Sequence, residues 1–430
     1  MTYHDRRRFL GLLAGGIATG ATMPLPLPHG TTALSPRARF DRLSRAAQDD
    51  DEAFWQLVKR EFPARPGLAM MNAANLCPSP FVVIDTVTQL TRDIDADVSF
   101  QNRSKFGALR NQARQGLATH LGADPSEIAI TRNTSEGNNT VVNGVTLGRG
   151  DEVLLWDQNH PTNNVSWDVR AERMGFAVKR VTTSAEPKSA SELAEVFADA
   201  LTPRTKVLSF SHVSNVSGIR LPAQQLCRLA RERGIMTLVD GAQTFGVLRV
   251  NLHEMGCDFY TGSAHKWFVG PKEAGVLFVK EDRIADLWAN DVGVGWQGAI
   301  RNGAQKFENL GQRDDACLAA TGTAAEFHAT IGVDRIDKRV KMLATTLIEQ
   351  LQDRIPGVTF TTPLDPNLRA GVVIFGIPGV DPGDLYNRLY TEFHIAGARR
   401  ATGVRLCPHL YNTMDEIDRA VSGAAAIGGA

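Results

Sequence analysis

The sequence predicts an α/β protein: a large domain on a mostly parallel, doubly wound sheet, then a smaller C-terminal α+β domain. Three observations predict it. Short apolar runs, among them Ile128-Ala129-Ile130-Thr131, Asp151-Glu152-Val153-Leu154-Leu155-Trp156, Lys206-Val207-Leu208-Ser209-Phe210 and Ile235-Met236-Thr237-Leu238-Val239, read as buried strands. They alternate with helical stretches in units of roughly 30 to 50 residues, which calls for right-handed crossovers and parallel pairing. Polar residues follow directly after these runs, at the carboxyl ends of strands, where ligands of such sheets bind.

From the N-terminus, residues 1–36 read as a leader and linker. Asp5-Arg6-Arg7-Arg8-Phe9-Leu10-Gly11 precedes a mildly apolar stretch from Leu12 to Met23, a pattern similar to a twin-arginine export signal. The expected location is therefore periplasmic or exported. A plain basic tail on a cytoplasmic protein is the alternative. Residues 37–66 form a helical segment, with Phe40, Leu43, Phe54, Leu57 and Val58 as its apolar positions. Residues 67–322 make the large domain and 323–430 the small one, with Gly371-Val372-Val373-Ile374-Phe375 as one of its strands.

Composition narrows the partners. In 430 residues, 47 Lys and Arg balance 47 Asp and Glu, so no overall field favours nucleic acid or an anionic membrane, and a small molecule is the default. Cys77, Cys227, Cys257, Cys317 and Cys407 form no C-x-x-C pair, which argues against a zinc site or disulfide framework. No metal is expected. No apolar run approaches the ~20 residues of a membrane-spanning helix.

The chemistry centres on Lys266. The strand ending at Val239 delivers Asp240-Gly241-Ala242-Gln243. A second run, Cys257-Asp258-Phe259-Tyr260-Thr261, leads into Ser263-Ala264-His265-Lys266-Trp267. An acid at one strand end and a lysine at the next suit pyridoxal 5'-phosphate (PLP). The amine forms a Schiff base with the cofactor aldehyde, and the carboxylate keeps the pyridinium nitrogen protonated as an electron sink. Upstream, Arg132-Asn133-Thr134-Ser135-Glu136-Gly137 opens a helix running to about Val145. Thr134 or Ser135 sits where an N-cap belongs, and the first-turn amides attract a phosphate. Ordinary capping satisfies the same residues.

The order Asp240-Gly241-Ala242-Gln243, Cys257-Asp258-Phe259-Tyr260, Ser263-Ala264-His265-Lys266 resembles the active-site region of class V aminotransferases. These are PLP fold type I enzymes that include cysteine desulfurases and isopenicillin N epimerase. The resemblance implies further roles. His160, in Asp157-Gln158-Asn159-His160-Pro161, stacks on the pyridine ring. Asn215, in His212-Val213-Ser214-Asn215, approaches cofactor and substrate, and Gln243 tunes the ring. Thr134, Ser135, Ser263 and His265 hold the phosphate. Arg405, in Val404-Arg405-Leu406-Cys407-Pro408-His409-Leu410-Tyr411-Asn412-Thr413, clamps the substrate carboxylate, a task that suits a guanidinium. Asn72 lines the substrate pocket, or is a plain turn. Gln312 replaces the usual threonine of a Gly-Thr pair that reaches the neighbouring subunit's phosphate, which implies a homodimer with shared active sites. Gly293-Val294-Gly295-Trp296-Gln297-Gly298 fits G-x-G-x-x-G but follows a helix-like stretch, Ile284 to Asn290, and not a strand, and opens no clear helix, so it is a poor dinucleotide fingerprint; the resemblance implies instead a loop that crosses that interface.

A cysteine desulfurase carries its nucleophilic cysteine in a loop before the carboxylate arginine, and only Ala401 to Val404 separate Arg400 from Arg405. Desulfuration or C–S lysis is thus the alternative. The first reading is an enzyme that exchanges Lys266 for a substrate amine in an external aldimine, with Lys266 as the base at Cα, acting as an aminotransferase or epimerase on an amino acid or peptide, a secreted metabolite being one candidate. A non-catalytic binding protein on the same fold is the reading from another class.

Overall fold

The computed structural model describes residues 36–46 and 52–429. The twin-arginine pattern and nearly all of the linker lie outside these residues. Phe40–Ala430 form one compact unit.

Seven strands make the large sheet: β1 (Ile128–Thr131), β2 (Glu152–Trp156), β3 (Ala177–Val181), β4 (Thr205–Ser211), β5 (Met236–Asp240), β6 (Phe259–Ser263) and β7 (Gly275–Val279). Their order is β1-β7-β6-β5-β4-β2-β3. The pairs β2–β3, β2–β4, β4–β5 and β5–β6 are parallel, whereas β7 runs antiparallel to both β6 and β1. The sheet is thus mostly parallel, as expected, with one reversed strand near its edge.

The continuous apolar runs have a simple cause. Ile130, Leu154, Trp156, Leu208, Val239, Tyr260 and Val276 enter one core, while Ala129, Val153, Leu155, Val207, Leu238, Phe259 and Leu277 enter another. Successive residues point to opposite faces and both faces are covered, so the central strands are mostly apolar, and the polar residues inside them, Ser209, Thr237 and Thr261, are buried with hydrogen-bond partners. On one face α1 (Phe81–Ala96) and α2 (Lys105–Leu121) pack against α6 (Asp315–Ile331). Gly322 allows this close approach, since a Cβ there would lie 3.0 Å from the Cα of Ala113. The other helices that matter for the site are α3 (Thr134–Gly144), α4 (Pro161–Met174) and α5 (Ala223–Glu232).

The smaller sheet holds β8 (Thr359–Phe360), β9 (Val373–Gly376), β10 (Ala398–Arg400) and β11 (Gly403–Leu406) in the order β10-β11-β9-β8. It packs with α7 (Val333–Arg354) and α8 (Met414–Gly428) around a core of its own. Thr323, taken from the sequence as the first residue of the small domain, lies inside the continuous helix α6. The chain near residue 70 joins the two cores. Ala69–Met70 pair in parallel with Ile395–Ala396 and Met71 enters the small core, whereas Ala73 and Ala74 enter the large one. Three residues therefore carry the chain from one core to the other, with Asn72 between them.

Short-range expectations needed adjustment. The N-cap of α3 is Asn133, whose side chain accepts from the Glu136 amide at 3.0 Å, and not Thr134 or Ser135. Asn133 wins because Thr134 is engaged by a residue distant in sequence. Of the helix-like stretch from Ile284 to Asn290, only Ile284 lies in a helix, the short Glu281–Ile284. The glycine-rich loop after it does open a helix, but one of a single turn, Trp296–Ala299.

Candidate active site

Asp240 is the last residue of β5 and only 3% exposed. Both its oxygens are held: Oδ1 accepts from the Ala242 amide at 3.0 Å, and Oδ2 from Asn138 Nδ2 at 3.0 Å. Asn138 is fixed in turn, because its Oδ1 accepts from Thr261 Oγ1 at 2.7 Å. A buried carboxylate with both oxygens paired is a fixed negative charge. The sequence offered no sign of Asn138, which sits one turn into α3 and looks like any helical amide.

Thr134 and Ser263, both expected to hold a phosphate, meet across the sheet end. Ser263 Oγ accepts from the Thr134 amide at 2.9 Å and lies 2.8 Å from its hydroxyl. Ser135 stands beside them, exposed, in the first turn of α3. His265 is half-buried, and burial together with Lys266 and Lys272 pushes its imidazole down to about 4. It is therefore neutral near pH 7.

The Lys266 side chain is half-buried, and its ammonium makes no hydrogen bond or ion pair among the described residues. Burial lowers its pKa first; Asp240 opposes this, and Arg405 adds to it. His160 caps α4, its Nδ1 accepting from the Thr162 amide at 3.3 Å. Its pKa is also lowered, first by burial and then by Lys266, with Asp240 opposing and Arg405 assisting. Its loop is tied to β4 by Asn159, whose Oδ1 accepts from the Ser211 amide at 2.7 Å and whose Nδ2 donates to the Ser209 carbonyl at 3.1 Å.

Arg405 comes from the small sheet, on β11, and is 2% exposed. Its Nη2 donates to Asn72 Oδ1 at 2.9 Å and its Nη1 to the Asn215 carbonyl at 3.2 Å; Nε is buried without a partner. Asn72 and Asn215 thus meet at one guanidinium, Asn215 through its backbone. Gln243 is spent within the chain: its Nε2 donates to the Ala74 carbonyl at 3.0 Å, and its Oε1 accepts from Trp267 Nε1 at 2.8 Å. Gln312 stands apart. Its bonds go to Arg103, Arg313 and Asp315, and none reaches another candidate residue.

The turn after Lys266 is strained. Val269 has φ 47°, a left-handed conformation that is costly for a β-branched residue, about 1–3 kcal/mol. Two buried imidazoles hold the turn by its carbonyls. His409 Nε2 donates to Trp267 O at 2.7 Å and His328 Nε2 to Phe268 O at 3.0 Å. Sequence reading gave neither a role: His328 lies in a helix with no chemical pattern, and His409, inside the motif that carries Arg405, shows nothing along the chain of its contact with the Lys266 turn. Elsewhere Asp124, Glu127 and His253 gather closely, but Glu127 already accepts from the Asp124 and Glu281 amides and bonds His253, so the group is satisfied without an ion.

These residues fit PLP. Among the described residues the Lys266 amine has no partner, the fixed Asp240 carboxylate acts on it, and Ser263, three residues before it, bonds Thr134 at the start of α3. Fold and site together define a lysine-centred enzyme of PLP fold type I. The class V aminotransferase model (Aminotransferase class-V) matches residues 72–419, and the chain belongs to this family of PLP-dependent enzymes. It is 31% identical over 395 residues to isopenicillin N epimerase of Streptomyces clavuligerus, covering 88% of this chain and 99% of the relative. It is 29% identical over 422 residues to a probable cysteine desulfurase of Xylella fastidiosa, covering 89% and 98%. Among solved structures, a C-DES mutant with glycine covalently linked to its PLP cofactor superposes with a TM-score of 0.80 at 24% identity, covering 86% of this chain and 99% of that one.

Proposed function

We propose that this PLP-dependent enzyme acts at the amine-bearing carbon of an amino acid or amino-acid-containing peptide, as an aminotransferase or epimerase. The observation that carries the reading is the half-buried, unpaired Lys266 amine acted on by the fixed Asp240 carboxylate and the Arg405 guanidinium. PLP, when bound, supplies an aldehyde for the amine and an electron sink for the pair released at Cα.

The chain's own residues do the rest. Arg405 receives the substrate carboxylate, oriented by Asn72 and the Asn215 carbonyl. Lys266, its pKa lowered by burial, has access to its neutral form and can take a proton from Cα and return it. Asp240, its oxygens fixed by the Ala242 amide and Asn138, would pair with the pyridinium nitrogen. His160 offers a ring face, and its Nε2 is left for proton transfer because Nδ1 accepts from a backbone amide. Thr134 and Ser135 at the start of α3, with Ser263 bonded to Thr134 and neutral His265, would hold the phosphate.

A desulfurase needs a thiolate, and the nearby thiols are poor sources of one. Burial raises Cys407, and it pushes Cys77 up to about 12. Incubating the holoenzyme with a panel of amino acids and resolving the products by chiral chromatography before mass spectrometry tests the reading. Keto acid or inverted product is expected. Alanine and sulfide from cysteine would replace it with desulfuration, and a spectral change without any product would make the protein a binder.

The same reading takes the molecule as a dimer with shared sites, exported by the twin-arginine route after folding. Trp288, Val292, Val294 and Ile300 are exposed in and around the glycine-rich loop, an apolar patch suited to a second copy. Protein recovered from the periplasmic fraction and measured by light scattering should have the mass of two chains. Recovery only from the cytoplasm removes export, and the mass of one chain removes the dimer.

A further inference from the structure

A second guanidinium shares the face of the small sheet that carries Arg405. In the antiparallel pair β10–β11, Ala398 stands opposite Arg405, Arg399 opposite Val404 and Arg400 opposite Gly403. Opposed residues of such a pair lie on one face and successive residues alternate, so Ala398, Arg400 and Arg405 share a face while Arg399 takes the other. Exposure follows the same alternation: Arg399 is exposed, whereas Ala398 and Arg400 are half-buried. Arg400 and Arg405 are diagonal neighbours, about 7–8 Å apart in ordinary strand geometry. Gly403, across from Arg400, contributes no side chain between them.

Among the described residues neither guanidinium has an acidic partner. Arg400 donates one hydrogen bond, from Nη1 to the Arg399 carbonyl at 3.0 Å, and Arg405 bonds only Asn72 and the Asn215 carbonyl. No ion pair involves Arg400, Arg405, Lys266 or Lys272 among the described residues. Burial lowers the Arg400 guanidinium pKa and Arg405 lowers it further, so the two cations act on each other. The one acid that acts on both Lys266 and His160 is Asp240. Two partly or fully buried cations side by side are unfavourable until anions meet them. One substrate carboxylate satisfies one of them.

We propose that the substrate carries a second carboxylate, with Arg405 binding the one beside the reacting amine and Arg400 the distal one. The substrate class is then an acidic amino acid, or a peptide or conjugate presenting a free carboxylate a few bonds from its reacting centre. This rests on the function proposed above for the Arg405 site.

The test compares anionic probes with neutral isosteres on the PLP-loaded enzyme. L-Glutamate and L-2-aminoadipate are titrated against L-glutamine and L-norleucine, and half-saturation is read from the cofactor absorbance. In the wild type the acidic probes should half-saturate at about ten- to hundredfold lower concentration, as a charge-assisted contact provides. In Arg400→Ala that ratio should fall to about one, and Arg400→Lys should restore part of it. Arg400→Gln serves in place of Arg400→Ala if the alanine variant does not fold. An unchanged ratio in the variants, or no preference in the wild type, overturns the proposal. An enzyme whose absorbance answers to no amino acid overturns the underlying function, and this inference with it, an outcome that no Arg400 variant can mimic.

Discussion

Lys266→Ala should abolish the yellow, borohydride-reducible species of the holoenzyme and lower turnover by about 10⁴-fold or more. One substitution removes both the amine that anchors the cofactor and the base at Cα, and general-base catalysis alone is worth about 10²–10⁴-fold. Lys266→Arg should fail equally, because a guanidinium stays protonated and forms no Schiff base. The fold should survive. Asp240 keeps its bonds to Asn138 and the Ala242 amide, and an unpaired, half-buried ammonium is lost rather than created. Absorbance after borohydride treatment and gel filtration reads the result; a yellow species that persists in Lys266→Ala would remove the assignment of the site.

The second large effect is acid unfolding. Burial pushes His212 and His409 down to about 3 and His328 to about 4, and all three are neutral in the folded state at pH 7. In the unfolded chain each returns to about 6.5 and takes up a proton below that pH. Between about pH 6.5 and 3 the unfolded state binds more protons, so stability rises with pH across this window. Stability is therefore complete above about pH 6.5 and is lost progressively as pH falls. Each tenfold difference in proton affinity is worth about 1.4 kcal/mol. Three such groups can together exhaust the roughly 5–15 kcal/mol of a typical fold. Urea midpoints measured from pH 8 to 4 should fall steadily below about 6.5, and more shallowly in His409→Gln. A flat profile would mean that these imidazoles do not stay neutral when buried.

The two results are linked through the turn after Lys266. His409 and His328 donate to its carbonyls, and protonation at their free Nδ1 atoms would place two charges in the core beside a strained Val269. Loss of the yellow species is expected to accompany the loss of stability in acid.

Local pattern told most about the large domain. The central strands were legible because burial on both faces leaves long apolar runs, and their carboxyl ends could be placed because crossovers have one hand; the edge strand Ala177–Val181, with only Val181 buried, left no such run and was not read. Thr134, Asp240 and Lys266 could be set at that edge by the same rule, whereas the roles of His160 and Ser263 came from the family resemblance. The reversal of β7, the choice of Asn133 as cap and the extent of helix after Glu281 were not legible, since each depends on which distant group wins a contact.

What the order of residues settles unaided is the identity and strand-end position of the groups around Lys266. Both come from short-range periodicity and from residue types that few other reactions require. What only the folded chain decides is how those groups are held: Asn138 on Asp240, two imidazoles on the Lys266 turn, Asn72 and the Asn215 carbonyl on Arg405, and Arg400 beside it. Such partners are separated by up to 333 positions in the chain. Their hydrogen bonds depend on tertiary packing, which leaves no periodic trace along the sequence.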